Sequence, residues 1–433
     1  MPKAVAHADE TAINEPIQNL RGGREIAAAV PRLGLTRFKG LWFSPRACAG
    51  NDGLMELSDD LLQLQQSAVA FARQALNYDL VGADAAETFN HEAWRRCADF
   101  GVLAMPIPKE HGGLGLGLSS LLAVMEGLGY GTRDQGLLFS LNAHLWTNSI
   151  PILRYGTGAQ QQRYLPGLCD GSLIGANAAS EPDAGSDIFS MRTRAVRDGD
   201  SYVLNGTKMF VTNAPVADLF VAYATIDPAL GVTGITGFII ERDTPGLTIS
   251  RKLHKMGLRT SPMAEVIFED CRVPVAQRLG REGRGVEVFE CSMEWERGSI
   301  LASCLGVMRR QLEDCIRHAR ERKQFGRPIG KNQSIANKIV DMKIRLETCR
   351  SLVHHIGALK DRDQPAMLEA AMAKLHVSQS FVQSSLDAVQ IFGGYGYMTE
   401  QQVERDLRDA VGSSLYSGTS EIQRNIIAKA LGL

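Results

Sequence analysis

A glutamate at a predicted buried helix position is the first candidate for chemistry in this sequence. After Gly285, apolar residues recur at helical spacing and predict one buried face: Phe289, Met293, Ile300, Cys304 and Val307. Glu296 falls within this stripe, three residues after Met293 and four before Ile300. Because burying a carboxylate is costly, Glu296 needs either a structural ion pair or a catalytic task.

The predicted position of Glu296 suits a proton acceptor. Burial favours the neutral form of a carboxyl group, so it raises the pKa of Glu296 towards neutrality. Such a group accepts a proton strongly once substrate has excluded water. Glu294 lies about 200° away around the same helix and is predicted to face outward. Glu296 is therefore the candidate base, and Glu294 is the weaker alternative.

Two other segments could bind a ligand. Ser180–Asp187 is dense in turn formers, and its glycine and two serines also suit close contact with a carbonyl or phosphate group. Arg320, Arg322 and Lys323 close a predicted helix before the turn at Phe325. These cations suit either a helix C-terminus or a phosphate clamp, and both interpretations are open from the residues alone.

A glycine-rich run and the cysteines predict no additional site. Gly112–Gly117 does not match a dinucleotide fingerprint, because Pro106, Pro108 and His111 precede it where a buried strand is required. The cysteines include no CxxC pair, and no histidine stands at metal-ligand spacing, so we expect no metal and reduced cytosolic thiols. The eight cysteines are Cys48, Cys97, Cys169, Cys271, Cys291, Cys304, Cys315 and Cys349.

The elements that must position these residues fall into three predicted domains. Helical periodicity begins at Ser58, a predicted helix N-cap, and gives way near Ser180 to short strand-like runs. Asn205-Gly206 predicts a tight hairpin among these strands. The pattern predicts an N-terminal helical domain (55–174), a middle antiparallel β-barrel (175–285) and a C-terminal four-helix bundle (286–433). Residues 1–54 are predicted to be a mobile extension, so Met55 is a hypothetical biological start.

Bulk composition excludes several classes of protein. The chain has 433 residues, of which 44% are hydrophobic and 22% charged, which suits a multidomain globular protein. Its net charge of -1 gives no general attraction for nucleic acid or an anionic membrane. No apolar run is long enough to span a membrane, and no secretory signal is present, so we expect a cytoplasmic protein.

Five segments occur in the order and spacing seen in the acyl-CoA dehydrogenase family. They are Ser180–Asp187, Met209–Asn213, Arg322–Ile329, Gln390–Tyr397 and Tyr416–Arg424. The chain resembles this family throughout Met55–Leu433. The resemblance implies FAD bound between the middle and C-terminal domains and across a subunit interface, in a homotetramer or homodimer. It also implies an electron acceptor such as electron-transfer flavoprotein.

The resemblance also implies which residues surround FAD. Those matching the flavin-ring site are Ala179, Ser180, Ser186, Phe210 and Thr212. Those matching the cross-subunit pyrophosphate and adenosine site are Arg322, Phe325, Gln333, Gln390, Gly393 and Gly394, while Thr419 and Glu421 complete the match near the cofactor. Most relatives have tryptophan where Phe210 stands, so stacking would persist here without an indole N–H.

The resemblance supports the interpretation of Glu296 as the catalytic base. Many family members place their base immediately before the Gly-Thr that matches Gly418-Thr419, but this chain has Ser417 there. Glu296 instead matches the base of the isovaleryl and long-chain branches. The predicted substrate site comprises Ser186, Met293, Arg297, Tyr416 and Gly418. In the family, the flavin ribityl chain and a backbone N–H near Ser417 bind the substrate carbonyl.

Three functions follow from this pattern. The first is the α,β-dehydrogenation of an acyl-CoA by an FAD enzyme. The second is the same reaction on an acyl or aminoacyl group, such as prolyl, tethered to a carrier protein; Leu138–Ile152 and Ser292–Arg297 resemble that branch. The third is a non-enzymatic flavoprotein, which Ser417 motivates, and oxidase activity is a variant of the first two. No residue pattern fixes chain length, branching or the choice between CoA and a phosphopantetheine arm.

Overall fold

The computed structural model describes residues 57–433, so the predictions for the 1–54 extension, Met55 and Cys48 lie outside the described residues. Ser58 caps the first helix as predicted, accepting a hydrogen bond from the backbone N–H of Leu61. The N-terminal helices are α1 (Asp59–Ala75), α2 (Leu80–Ala86), α3 (His91–Phe100), α4 (Leu118–Gly131), α5 (Gln135–His144), α6 (Ile150–Tyr155) and α7 (Gly158–Cys169). A π-helical turn, Leu145–Ser149, joins α5 to α6.

The middle region is one eight-stranded sheet. Its strands are β1 (Gly175–Ala178), β2 (Arg194–Asp198), β3 (Ser201–Thr212), β4 (Leu219–Thr225), β5 (Ile235–Glu241), β6 (Leu247–Ile249), β7 (Met263–Pro274) and β8 (Arg278–Leu279). The hydrogen-bonded order is β6-β7-β3-β2-β4-β5-β8, and β1 also pairs with β4. β4 pairs in parallel with both β1 and β2, so the sheet is mixed rather than purely antiparallel as predicted.

The predicted hairpin turn at Asn205-Gly206 is wrong. β2 and β3 pair in antiparallel fashion, with Arg194 opposite Asn205 and Asp198 opposite Ser201. The turn therefore lies at Gly199-Asp200 instead. Gly206 lies inside β3, where the register with β7 shifts. A Cβ on Gly206 would come within 2.5 Å of the Thr193 hydroxyl, so close packing and its φ of 150° explain the glycine.

The C-terminal region is helical, which confirms the predicted order of helices, sheet and helices. It contains α8 (Gly285–Ser299), α9 (Ala302–Glu321), the short strands β9 (Lys323–Gln324) and β10 (Arg327–Pro328), α10 (Gln333–Lys360), α11 (Met367–Phe392), α12 (Gly394–Tyr397), α13 (Val403–Gly412) and α14 (Ser420–Ala430). The periodicity predicted one element over Val286–Arg322, but the helix breaks at Ile300-Leu301. Within residues 57–433, no helix is both long enough and apolar enough to cross a membrane.

A buried ion pair fixes the start of the Ser180–Asp187 loop to the sheet. The Nζ of Lys208, on β3, donates to Glu181 Oε1 at 2.8 Å and to the Ala179 carbonyl at 3.1 Å. Glu181 also accepts hydrogen bonds from the backbone N–H groups of Arg192 and Thr193. Because Lys208 is 0% exposed, its charge depends on Glu181 for compensation.

We therefore expect Glu181→Gln to destabilise the protein by leaving the Lys208 ammonium buried without a counter-charge. The free energy of unfolding should fall by about 3 kcal/mol in urea denaturation followed by circular dichroism. Asp183→Asn is the matched control, because Asp183 pairs with Arg192 at the surface of the same loop, where the effect should be within about 0.5 kcal/mol. Equal losses in both variants would contradict the anchoring role of Glu181.

Candidate active site

α8 carries Glu296 into the interior, as its place in the apolar stripe predicts. Its side chain is 7% exposed. The Ser417 hydroxyl donates a hydrogen bond to Glu296 Oε1 at 2.6 Å, whereas Oε2 is buried without a hydrogen-bond partner among residues 57–433. Glu296 forms no salt bridge within that range, so the structural ion pair considered from the sequence is absent there. One carboxylate oxygen is held in place and the other is free.

The environment of Glu296 favours proton uptake. Burial raises the pKa of its carboxyl group above the ordinary value of a glutamate. The Ser417 hydrogen bond and the positive charges of Arg297 and Lys374 lower this pKa, but they do not offset burial. These opposing effects allow a carboxylate to be ionised and still be a strong base.

The segment between α13 and α14 presents backbone groups beside Glu296. Ser417 and Gly418 both have left-handed backbone conformations, with φ of 57° and 89°. Arg297 Nε donates to the Ser417 carbonyl at 3.2 Å, and Gln423 Nε2 donates to the carbonyls of Ser417 and Gly418. Within residues 57–433 the backbone N–H groups of Ser417 and Gly418 donate to no acceptor. Both N–H groups can therefore bind a carbonyl oxygen.

Glu294 is not outward-facing, contrary to the prediction. Its side chain is 20% exposed and forms an ion pair with Lys360. Its Oε1 also accepts a hydrogen bond from the backbone N–H of Ala366 at 3.0 Å. Glu294 and Glu296 lie on different faces of α8, as the helical spacing predicts. The face that carries Glu294 was predicted to be exposed, but Lys360 at the end of α10 packs against it. This pairing leaves Glu294 the weaker candidate.

Aromatic rings close the interior beyond Glu296. The rings of Phe139, from α5, and Tyr416 lie with their centroids 4.6 Å apart. Together with Ile300 and Cys304 they line an internal cavity of only about 10 Å³. Ile300 follows Glu296 by one helical turn, but Glu296 itself is not among the residues that line this cavity. Met293 is buried on the turn before Glu296.

A β-bulge near the C-terminal end of β3 exposes the side chain of Phe210. The register of β3 with β7 shifts between Lys208 and Val211, and Phe210 takes a left-handed conformation with φ of 58°. Its side chain is 62% exposed. The backbone N–H of Met209 donates to the Ser180 carbonyl at 2.8 Å, which places Ser180 beside the bulge.

The remaining residues predicted for the flavin ring are near this bulge in the fold. Ala179, next to Ser180, is buried, and Thr212 is half-buried at the end of β3. Ser186 is exposed farther along the anchored loop. An exposed aromatic ring beside this backbone suits a planar ring system.

An open groove lies on the C-terminal domain. It has a volume of about 880 Å³, and Arg322, Phe325, Gly393 and Gly394 are among the residues that line it. Phe325 is 98% exposed, and a Cβ on either glycine would meet no atom within 4 Å. The groove could therefore hold an extended ligand without rearrangement.

The guanidinium of Arg322 lies at this groove. It is 5.7 Å from the ring centroid of Tyr395, and the residue also ends α9. The position of Arg322 is thus compatible with both roles considered from the sequence, which are stabilising a helix C-terminus and binding a phosphate group. Gln333 and Gln390 are exposed beside the groove but do not line it.

The last two residues predicted to lie near the cofactor, Thr419 and Glu421, are at the N-terminus of α14. The Thr419 hydroxyl accepts a hydrogen bond from the backbone N–H of Ile422 and so caps this helix. Glu421 is exposed in the first turn. The exposed Phe210 ring and the open groove with its arginine fit a ligand that combines a planar ring with an anionic diphosphate.

Three residues that contact or influence Glu296 or Tyr416 were not singled out from the sequence. The sequence indicates Ser417 only as the residue that replaces the usual glutamate, and it does not indicate the hydrogen bond of its hydroxyl. Phe139 and Lys374 were not identified. Lys374 lies fully buried on α11 among Ala370, Ala373 and Val377. The register argument that identified Glu296 could have identified Lys374, whereas the contacts of Ser417 and Phe139 depend on tertiary packing.

Comparisons with known proteins identify the family to which the chain is similar. Three sequence models match the chain: "Acyl-CoA dehydrogenase, N-terminal domain" at residues 58–172, "Acyl-CoA dehydrogenase, middle domain" at 176–271 and "Acyl-CoA dehydrogenase, C-terminal domain" at 283–432. The chain is 43% identical over 380 residues to L-prolyl-[peptidyl-carrier protein] dehydrogenase of Pseudomonas fluorescens, covering 88% of this chain and 100% of the relative.

Two solved structures are also similar. The crystal structure of the prolyl acyl carrier protein oxidase AnaB is 50% identical with a TM-score of 0.86, covering 87% of this chain and 100% of that chain. The structure of PigA with FAD and proline is 41% identical with a TM-score of 0.85, covering 87% of this chain and 99% of that chain.

Proposed function

Because the chain belongs to the acyl-CoA dehydrogenase family, we propose that it oxidises a prolyl thioester on a carrier protein, with Glu296 as the base. It is an FAD-dependent oxidoreductase that acts on CH–CH groups. The observation that carries the proposal is the buried Glu296 carboxylate, with Oε1 held by Ser417 and Oε2 without a hydrogen-bond partner among residues 57–433.

Glu296 removes the proton from the α carbon. Its Oε1 is held by Ser417, which leaves the unpaired Oε2 as the atom that accepts the proton. The raised pKa of Glu296 increases its strength as a base, and substrate binding strengthens this effect by excluding water. Bound FAD supplies the acceptor for the hydride that leaves the β carbon as the double bond forms.

The segment after α13 binds the thioester carbonyl. Removing the α proton places negative charge on the carbonyl oxygen, so donors aimed at this atom lower the barrier. The backbone N–H groups of Ser417 and Gly418 supply such donors. Arg297 and Gln423 hold this segment through its carbonyl groups and thereby orient those N–H groups.

Two surfaces would hold FAD. Phe210 would stack on the ring system, and Ala179, Ser180, Ser186 and Thr212 would hold it from the neighbouring backbone. At the open groove, Arg322 would pair with the diphosphate and Phe325, Gly393 and Gly394 would surround the remainder, with Gln333 and Gln390 exposed beside the groove. Thr419 and Glu421 complete the site at α14.

The open groove also supports a shared site between subunits. Phe325 is almost fully exposed in one chain, and a second subunit would bury it. We therefore propose a homodimer or homotetramer in which FAD contacts two subunits. Electrons leave through an acceptor protein such as electron-transfer flavoprotein, or through oxygen if the enzyme is an oxidase.

The closed cavity supports a compact acyl group. Phe139 and Tyr416 pack against each other and, with Ile300, leave only a small cavity of about 10 Å³. A five-membered ring at the α carbon places its atoms close to the thioester, whereas a long acyl chain would need this filled space. The similarity to prolyl-carrier dehydrogenases supports the same substrate.

A short acyl-CoA is the second candidate substrate. A short acyl chain would also need little of the space that Phe139 and Tyr416 fill, and the matching family is described by its CoA-linked members. Glu296 and the Ser417–Gly418 donors would act identically, because both substrates present the same thioester. The two candidates differ only in what carries that thioester.

Replacing the base should stop the reaction without removing the cofactor. We expect Glu296→Gln to retain FAD and to slow flavin reduction by the prolyl-carrier thioester at least about a hundredfold, measured anaerobically by stopped-flow absorbance. In the wild type this rate should fall as the pH decreases through the raised pKa of Glu296, because the base must be ionised.

Glu294→Gln is the matched control for this prediction. It removes a carboxylate two residues away on the same helix, but that carboxylate pairs with Lys360, whereas Glu296 Oε2 has no hydrogen-bond partner among residues 57–433. Its flavin-reduction rate should stay within about threefold of the wild type. Near-normal flavin reduction by Glu296→Gln would refute the assignment of the base.

The nature of the carrier can be tested with matched thioesters. We expect prolyl-carrier protein to reduce the flavin with a higher kcat/KM than prolyl-CoA by at least about tenfold, because a protein carrier adds binding surface beyond the arm. Butyryl-CoA is included to test the second candidate. Faster reduction by butyryl-CoA than by prolyl-carrier protein would replace the prolyl proposal with the short-chain one.

Phe139 should set the upper size limit of the acyl group. We expect Phe139→Ala to raise the ratio of kcat/KM for octanoyl over prolyl thioester by at least about tenfold, because it removes the ring that fills the cavity. Leu64→Ala, a buried truncation on α1 outside the cavity lining, controls for general destabilisation. An unchanged ratio in the folded Phe139→Ala enzyme would show that the cavity does not receive the acyl chain.

A further inference from the structure

A buried lysine near the base has no hydrogen-bonding partner. Lys374 lies on α11 and is 0% exposed, between the buried residues Ala370 and Val377 on the same helical face. Its Nζ forms no hydrogen bond with any residue in 57–433. Lysine is almost never fully buried unless it is paired, so this position requires an explanation.

The surroundings of Lys374 belong to the active site. Its Nζ lies 5.8 Å from the ring centroid of Tyr416, the residue before Ser417. The carboxylate with the strongest electrostatic interaction with Lys374 is Glu296, and exposed Glu421 on α14 has a weaker one. Two buried atoms without hydrogen bonds, Lys374 Nζ and Glu296 Oε2, therefore lie in one electrostatic environment.

Lys374 remains largely charged at neutral pH despite its burial. Burial lowers the pKa of its amine to about 8, and the negative charge of Glu296 opposes this effect. A protonated lysine favours the ionised form of a nearby carboxylate, and the favourable interaction is larger away from water. Arg297 acts on Glu296 in the same direction, from the same helix.

We propose that Lys374 is a positioning residue whose charge keeps Glu296 ionised and ready to accept the α proton through Oε2. This inference rests on the proposed role of Glu296 as the base. No direct salt bridge joins the two side chains within the described structure, so the free oxygen is not blocked by its own counter-charge. A direct ion pair would stabilise the same ionised state but would occupy the atom that must take the proton.

The other groups that face Glu296 do not replace this charge. They are Arg297 on α8, Tyr416 and Ser417 after α13, and Tyr223 on β4. Burial raises the pKa values of Tyr223 and Tyr416, so both stay neutral in the working range. Arg297 directs its Nε at the Ser417 carbonyl. Lys374 is therefore the cation near Glu296 that is not hydrogen-bonded elsewhere in residues 57–433.

The test compares Lys374→Met with the wild type by titrating the Glu296 carboxyl group directly. Infrared difference spectra at a series of pH values follow the protonated carboxyl band, which Glu296→Gln assigns by its disappearance. We expect Lys374→Met to shift this titration upward by about one pH unit, because the carboxylate loses a stabilising charge. The acid limb of anaerobic flavin reduction should move by the same amount, while FAD content stays unchanged.

Two further variants separate charge from structure. Lys374→Arg retains the charge and should restore the titration to within about 0.3 pH units of the wild type. Lys429→Met removes an exposed charge from the last turn of α14 and should leave the titration unchanged. Because methionine removes an unpaired buried charge, Lys374→Met should not lower the thermal unfolding midpoint.

An unshifted carboxyl titration in folded Lys374→Met would overturn the proposal. So would an equal shift in Lys429→Met, because the effect would then be independent of position. The infrared titration requires no turnover, so failure of every thioester to reduce the flavin would refute the proposed function without deciding the role of Lys374.

Discussion

The burial of the Glu296 carboxylate is the interaction on which the rest of the site depends. Removing a carboxylate from water makes it more basic, but the same desolvation would leave it protonated and inactive if nothing opposed it. Ser417 holds one oxygen with a hydrogen bond, and the charges of Arg297 and Lys374 favour ionisation without binding the other oxygen. The site thus combines a carboxylate whose pKa is raised by burial with an oxygen that has no hydrogen-bond partner among residues 57–433.

The fold brings these contributions together from separate parts of the chain. α8 supplies the carboxylate, the turn before α14 supplies a hydroxyl and two free backbone N–H groups, and α11 supplies a buried cation. In the middle sheet, a bulge exposes Phe210, and the Glu181–Lys208 pair fixes the adjoining loop. Helices therefore carry the buried carboxylate and the buried cation, while the surfaces proposed for the cofactor lie at a bulge and in loops.

Helical periodicity made the position of Glu296 predictable, because a three-and-four spacing places residues on one face whatever they pack against. The three-part order was predictable for the same reason. The pairing of the sheet was less predictable from the sequence. Asn205-Gly206 has the composition of a hairpin turn, yet pairing with β7 and close packing at Thr193 place it inside β3. Glu294 was placed outward because the sequence does not show that α10 covers that side. The contacts of Ser417 and Phe139 join residues more than 100 positions apart in the chain, which no local pattern encodes.

In the proposed mechanism, Glu296 on α8 takes the role of the glutamate that Ser417 replaces. The most direct measurement is a crystal structure of the enzyme with FAD and an unreactive prolyl thioester analogue. If Glu296 is the base, its Oε2 will lie about 3 to 3.5 Å from the substrate α carbon, with the thioester oxygen at the N–H groups of Ser417 and Gly418. An α carbon out of reach of Glu296, or facing another proton acceptor, would contradict this assignment.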